Sequence, residues 1–535
     1  MRESAEYICR HQNNNDGPEG REILDIGVLG GGTSGLLTAL ALKKRRPYLN
    51  VSIIQSKKIP IIGVGESTVP MVVSFLHNYI GLGVGDLLKN VRPTIKQGVR
   101  YDWGKPGDYY FNAPFDWDVN DIGLIGSMRL TGSPNGATSQ AILMEHHKLP
   151  LWLGPNGKVA SQMDRYRFAY HLDNALLVTY LEQEALTAGI EMVDAVIVSA
   201  DKHPQRDEIV ALQTDDGRKL SYDLFVDCSG FRSTLLNKEL EVPFIGFEKS
   251  LFSNRAIAFQ RDHGGDIKPY TSAITMDAGW SWMVPTRHND HCGYVHSSDF
   301  ISVEEAKDEV VERFGEVEFL NTVSFRNGRH ERCYVGNVIA IGNSYGFSEP
   351  LEASALLQIA RQVILLVDEL PRTKHDRSTE QLMNGQAADD WDKLKWFIAA
   401  HYQINNKKQT PFWDVMRSEA DISGIKPLMD LFREGAPLSM RSPWALEAIR
   451  KVGIPYYGLA GFDTIMMGCA APHRLLATGE SDEIWRQRYR MASTFMMSAL
   501  SHDEALAVFD EDPDLLMVAG DFNASENHRF TTLGQ

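Results

Sequence analysis

The stretch Asp25-Ile26-Gly27-Val28-Leu29-Gly30-Gly31-Gly32-Thr33-Ser34-Gly35-Leu36-Leu37 decides the reading of this 535-residue chain. A short apolar run, Asp25–Leu29, enters a cluster of glycines; residues 36–42 have helix-forming composition, and residues 51–54 form a second β-branched run. That order predicts strand, glycine turn, helix, strand. Within it Gly30-x-Gly32-x-x-Gly35 has dinucleotide spacing. The first glycine makes the tight turn, the second admits a pyrophosphate, and the third lets helix and strand pack closely. Gly30, Gly32, Thr33, Ser34 and Gly35 are therefore candidate cofactor contacts. The triplet alone is equally compatible with an ordinary glycine-rich turn; its setting favours the nucleotide. The second strand ends in Gln55-Ser56 instead of the Asp or Glu that usually holds ribose hydroxyls, so that contact is expected to be made differently.

Working outward, residues 175–187 have helical composition. Residues 190–193, 195–200, 208–213 and Leu224–Asp227 read as strands, which are expected to complete a nucleotide-binding sheet with a β-meander. Two later segments each combine a strand with a small-residue turn: Asp227-Cys228-Ser229-Gly230, and the run before Gly342-Asn343-Ser344. Either alone is an ordinary core strand; together, in this order, they favour FAD over NAD. No second GxGxxG is available for a tightly bound nicotinamide nucleotide, so reducing equivalents are expected to arrive as reduced flavin. After Glu352 the composition turns helical, with residues 356–370 apolar at helical spacing. The predicted organisation is a polar arm (1–20), an FAD-binding α/β body with inserted substrate-side segments (21–355), a mainly helical region (356–520) and a tail (521–535).

Composition limits the function. With 43% hydrophobic, 10% aromatic and 23% charged residues, the chain reads as an ordered globular protein. No run approaches the roughly 20 apolar residues of a membrane span, and residues 1–20 lack the apolar core of a secretory signal; a soluble, cytoplasmic protein is expected. Five widely spaced cysteines without a CxxC pair predict neither a disulfide framework nor a metal site. A net charge of −16 disfavours nucleic acid.

Further motifs carry a resemblance. Gly63-Val64-Gly65-Glu66-Ser67-Thr68-Val69-Pro70, Asp227-Cys228-Ser229-Gly230-Phe231-Arg232, Gly279-Trp280-Ser281-Trp282-Met283-Val284-Pro285, Glu349-Pro350-Leu351-Glu352 and Thr410-Pro411-Phe412-Trp413 follow one another in an order that resembles the flavin-dependent halogenases of the tryptophan-halogenase-like branch. The resemblance implies an FAD-binding monooxygenase/halogenase fold and an oxidoreductase that uses reduced FAD, O2 and a halide (chloride, bromide or iodide) to halogenate an electron-rich aromatic. It implies a separate flavin reductase and a small indole- or phenol-like substrate as partners, and leaves a homo-oligomer open. Gly65, Glu66 and Ser67 would belong to a strap over the flavin, with Gly230, Gly342 and Leu351 also near it. Trp280 and Trp282, two apart and so on one strand face, would wall the flavin from the substrate; without the resemblance they are two core tryptophans.

By the same resemblance Lys96 is the essential lysine, matched by its place about 30 residues beyond the strap. Lys89 and Lys105 are its rivals, and a lone lysine is ordinarily a solvated charge. Lys96 would hydrogen-bond hypohalous acid, or form a haloamine, and present the halogen. Glu352 would polarise the donor or take the proton from the arenium ion; Glu349 and Glu66 are competing acids. After Glu352 the family has Ser-Thr-Gly beside the halide, where this chain has Ala353-Ser354-Ala355. Ala355 brings a methyl and gives up glycine's freedom at positive φ, so a halide site at Ser354 and Ala355 is expected to differ in shape. The tryptophan clamp before Tyr456-Tyr457 is missing, and Asn112 stands where the family has a histidine. Tyr109, Phe111, Asn112, Trp413 and Tyr457 are pocket candidates that are equally ordinary core residues. The rival functions are a flavin-dependent aromatic hydroxylase and a non-catalytic flavin-binding scaffold.

Overall fold

The computed structural model describes residues 22–58, 66–104, 107–115, 134–436, 438, 442–471 and 481–518. The expected N-terminal arm, the tail 521–535, Gly65 and Lys105 lie outside the described residues.

The opening stretch folds as its pattern requires. Strand Asp25–Leu29 leads through the glycines into helix Thr33–Arg45, and the chain returns as strand Asn50–Gln55. These strands lie in a six-stranded sheet ordered Glu191–Asp194, Asn50–Gln55, Asp25–Leu29, Leu224–Asp227, Val338–Ala340, Tyr334–Val335. All its pairs are parallel except the last. Apart from the edge strand Glu191–Asp194, the strands are largely apolar and buried, as a parallel sheet covered by helices demands. Helix Thr33–Arg45 packs against Asn174–Thr187 and Ser354–Asp368. The first strand runs to the second on one side and to Leu224–Asp227 on the other, so its carboxyl end is a switch point, where open α/β sheets bind ligands.

The expected strands near 190–213 form, but not as one unit. Glu191–Asp194 joins the edge of the parallel sheet, whereas Ile197–Lys202, Ile209–Thr214 and Lys219–Leu220 make a separate antiparallel meander.

A second, seven-stranded sheet carries the tryptophan motif. Its order is Glu318–Ser324, Arg255–Arg261, Asp290–His296, Gly279–Pro285, Thr271–Met276, Gly98–Asp102, Phe111–Pro114. A three-stranded sheet sets Glu66–Ser67 and Thr94–Lys96 on either side of Ala169–Leu172. From Ser354 onward the described chain is helical, including the 28-residue helix Arg377–Ile404. The main hydrophobic cluster runs from Ile23 to Leu516, with smaller clusters beside the meander and on the seven-stranded sheet. Among the described residues no single helix is long and apolar enough to cross a membrane.

Candidate active site

A cleft of about 850 Å³ opens at the carboxyl ends of the parallel strands and extends to the second sheet, within the usual size of cofactor sites. Gly30, Gly32, Thr33, Ser34, Glu66, Ser67, Lys96, Gly230, Trp280, Trp282, Leu351, Glu352 and Ala355 all line it.

The glycine positions test whether a dinucleotide fits. Gly30 has φ +124°, and a Cβ there would meet the Cys228 carbonyl at 2.3 Å; a Cβ on Gly35 would meet the Gly30 carbonyl at 1.9 Å. Gly32 faces open space instead and starts the helix without a side-chain cap, leaving first-turn N–H groups toward the cleft. One glycine turns, one packs and one stays open, which is what a pyrophosphate needs. Opposite, Asp227 shapes the second turn. Its carboxylate accepts from the backbone N–H groups of Ser229, Leu235 and Leu236 and from the Ser229 hydroxyl, and Gly230 follows at φ +66°. Gly342 closes the turn from behind: its N–H donates to Gln362 Oε1 at 2.9 Å, and its missing Cβ spares contacts with Ile359 and the Ser34 hydroxyl. An acid does stand near the end of the second strand, though it comes from another element. Glu182, on helix Asn174–Thr187, lines the cleft and accepts a 3.5 Å hydrogen bond from Gln55.

Farther in stand the two tryptophans. Strand Gly279–Pro285 turns both toward the cleft, with ring centroids 6.2 Å apart. Trp282 lies on Gly293 of the next strand, where a Cβ would collide with its ring at 2.1 Å. Trp280 is tied by its indole N–H to Glu349 Oε1 at 3.1 Å, and Tyr402 donates to the same oxygen. Burial pushes the Glu349 carboxyl up to about 7. Its side chain thus works as a bracket for the wall. Glu349→Leu is expected to free the indole N–H and the Tyr402 hydroxyl at a cost of about 1–3 kcal/mol each, whereas Glu349→Gln keeps an acceptor. A thermal melt checks this: the leucine variant should melt well below the glutamine variant.

Lys96 lies fully buried at the end of strand Thr94–Lys96. Its ammonium donates to Ser67 Oγ at 2.8 Å and the Thr68 carbonyl at 3.0 Å, and sits 5.2 Å from the Phe115 ring centroid. Burial pulls its pKa from 10.5 to about 7, opposed by the Glu352 carboxylate. Its rival Lys89 is exposed on helix Val84–Val91. Glu66, also on the cleft, is raised by burial to about 7.

Glu352 faces Lys96 from an unusual backbone. Glu352 and Ala353 both have positive φ, +70° and +53°, directly before helix Ser354–Asp368. The conformational demand expected at Ala355 therefore falls two and three residues earlier; Ala355 is an ordinary helical residue on the cleft, with Ser354 buried beside it. The Glu352 carboxylate accepts from Tyr101, and His401 Nε2 lies 3.0 Å from the same oxygen. His401 Nδ1 donates to the Phe397 carbonyl at 2.8 Å, which turns Nε2 toward Glu352.

The five pocket candidates do not line the cleft. Phe111 stacks on Tyr101 with centroids 4.7 Å apart. Asn112 bonds Arg100 and Glu145, and Tyr109 donates to the Gly468 carbonyl. Trp413 donates to the Met276 carbonyl at 2.8 Å, and Tyr457 to the Glu352 carbonyl at 2.8 Å. Of the five, Phe111 supports Tyr101 and Tyr457 supports Glu352. Sequence reading missed Tyr101, His401 and Glu182; residues 300 apart carry no local signal of meeting at one carboxylate.

Comparison with known proteins agrees with this geometry. The tryptophan halogenase family model matches residues 25–468. The chain belongs to the tryptophan halogenase family. It is 30% identical over 446 residues to tryptophan 7-halogenase KtzQ of Kutzneria sp. (strain 744), covering 78% of this chain and 83% of that protein. Among solved structures it is similar to MibH, described as a lathipeptide tryptophan 5-halogenase, at 44% identity and TM-score 0.89 over 96% of this chain and 99% of that one. It is also similar to BrvH, a flavin-dependent halogenase from Brevundimonas sp. BAL3, at 27% identity and TM-score 0.78 over 91% and 99%. The fold and enzyme class expected from the motifs thus hold: the chain is an α/β flavin-dependent halogenase with a helical C-terminal region.

Proposed function

We propose that this halogenase carries out FAD-dependent halogenation of a tryptophan indole within a peptide, with Lys96 as halogen carrier and Glu352 as proton acceptor. The observation that carries the chemistry is a fully buried lysine and a strained glutamate at the end of a dinucleotide-shaped cleft that two tryptophans line. The likeness to the lathipeptide halogenase over nearly the whole chain supports a peptide-borne substrate, as does the missing clamp for the free amino acid.

FAD would be held by Gly30, Gly32, Thr33, Ser34, Glu182, Gly230 and the strap residues Glu66 and Ser67. When bound and reduced, it supplies, with O2, the two-electron oxidation of a halide to hypohalous acid; a separate reductase would deliver the reduced flavin. The protein does the rest. The Trp280/Trp282 wall keeps the organic substrate from the oxidant's place of origin. Lys96 Nζ hydrogen-bonds the hypohalous acid or is halogenated by it, and this fixes where the electrophile meets the ring. Glu352 Oε takes the arenium proton, with His401 and Tyr101 holding the carboxylate. The halide would sit at the start of helix Ser354–Asp368, near Ser354 and Ala355.

The test supplies enzymatically reduced FAD, oxygen and chloride, bromide or iodide to the chain, with tryptophan-containing peptides, free tryptophan, indole and a phenol, and reads products by isotope pattern. Halogenated peptide in preference to free tryptophan is expected. Hydroxylated product under saturating halide would identify a hydroxylase, and no product with any halide would leave the scaffold reading.

A further inference from the structure

Behind Lys96 lies a chain of polar groups, half-buried at Ser67 and buried beyond it, that the proposed chemistry does not yet use. Lys96 Nζ reaches Ser67 Oγ at 2.8 Å, Ser67 Oγ reaches Thr271 Oγ1 at 2.7 Å, and Thr271 Oγ1 reaches His171 Nε2 at 3.0 Å. His171 Nδ1 then reaches Thr94 Oγ1 at 3.0 Å, and Thr94 Oγ1 reaches the Pro285 carbonyl at 2.6 Å. The three-stranded sheet explains the gathering. His171 is the cross-strand partner of both Ser67 and Thr94, and Lys96, two residues beyond Thr94, shares its face. Thr271 enters from the first position of its own strand.

The last bond orients all the others. A carbonyl only accepts, so the single Thr94 hydroxyl proton is spent on Pro285, and toward His171 Thr94 accepts. Nδ1 of His171 therefore carries the proton, and in the neutral ring Nε2 accepts from Thr271. Thr271 must then accept from Ser67, and Ser67 from Lys96. Every donor points away from the lysine.

The neutral ring is supported by its surroundings. Burial opposes a second proton on His171, as do the charged or titratable groups acting on it, Lys96 and His502; its pKa is held well below the usual imidazole value. Glu66, one position before Ser67, and Glu352, which acts on Lys96, are the nearby acids, and neither hydrogen-bonds His171. His502 is itself neutral by geometry, accepting from the Ile95 N–H and donating to the Ile267 carbonyl, with its pKa lowered to about 3.

This polarity has a consequence at Lys96. Ser67 Oγ and the Thr68 carbonyl both accept, so between them they take two N–H bonds of Nζ. In the amine form only two exist, and the lone pair is left over. If Ser67 instead donated, its proton would cap that lone pair. We propose that His171, locked as the Nδ1–H tautomer by Thr94 and Pro285, is a positioning residue that keeps Ser67 an acceptor and so leaves the reactive position of Lys96 open. The inference rests on the reading of Lys96 as the halogen carrier.

The test pairs a direct observation with kinetics. In full-length protein labelled with 15N-histidine, the His171 signals, assigned by loss in His171→Phe, should report a neutral ring protonated at Nδ1. Thr94→Val removes the acceptor that selects this tautomer. It should populate the Nε2–H form and lower kcat for halogenation on the order of tenfold to a hundredfold with substrate KM unchanged, while Thr94→Ser restores both. An Nε2–H or doubly protonated His171 in the wild type overturns the proposal, whatever the folding of the variants. So does a tautomer shift in Thr94→Val without loss of kcat. Lys96→Met separates the failures: if it still halogenates, the carrier reading falls and this one with it; if it is inactive while Thr94→Val is not, only the role of His171 falls.

Discussion

Lys96→Met is expected to lower kcat for halogenation by at least the roughly 10²–10⁴-fold that a positioned catalytic group typically contributes, while reduced-flavin oxidation by the variant continues. The side chain is fully buried and directed by two acceptors, a placement that methionine cannot reproduce chemically. Arginine would not rescue: its guanidinium stays protonated and has no lone pair to offer a halogen. Methionine keeps most of the apolar stem, which lets the loss be read as chemistry and not as a cavity. Stability gives an independent check of the same burial. The folded pKa of about 7 lies below the free value of 10.5, so burying the ammonium costs stability fully below pH 7, and that cost shrinks as pH rises from 7 toward 10.5. Lys96→Met should therefore change the melting temperature more favourably at pH 6 than at pH 9. Equal shifts at both pH values would mean that the lysine is solvated.

What sequence revealed and what it withheld divide along physical lines. The parallel sheet was legible because Gly30, Gly32 and Gly35 answer to purely local demands, a turn, an open approach and a close packing, within six residues. The tryptophan pair was legible for the same reason: one strand, period two. Lys96 was visible only through resemblance, because nothing in Pro93-Thr94-Ile95-Lys96-Gln97 tells a buried ammonium from a surface one. The partners of Glu352 were not legible at all. Tyr101 and His401 reach it across 251 and 49 residues, and Glu182 enters the cleft from a helix whose pattern explains only its packing. The replacement of a family glycine drew attention to Ala355, but backbone strain is set by the junction of the 3-10 turn Leu351–Ala353 with the following helix, and falls on Glu352 and Ala353.

That strain gives the second large effect. Glu352→Gln is expected to cut kcat by about 10²–10⁴-fold with little change in melting temperature, because the amide still accepts from Tyr101 but cannot take the arenium proton. A pair of smaller substitutions separates the backbone from the carboxylate. In ordinary structure alanine is no worse than glycine, but at φ +70° a Cβ crowds the carbonyl at about 1–2 kcal/mol. Glu352→Gly should therefore be more stable than Glu352→Ala by about 1 kcal/mol, and both should be as inactive as Glu352→Gln. Denaturant melts compared with turnover decide it: if Glu352→Ala is the more stable of the two, the residue is not left-handed in solution. If the order holds, the chain maintains a strained backbone at Glu352, where glycine would relieve it, because glycine cannot carry the carboxylate. Strain of this kind persists only where surrounding contacts over-determine it. Here they do, through Tyr101 and His401 on the side chain and Tyr457 on the carbonyl. Tyr457→Phe, which removes only the last of these, should then weaken activity while leaving Lys96 and its hydrogen bonds untouched.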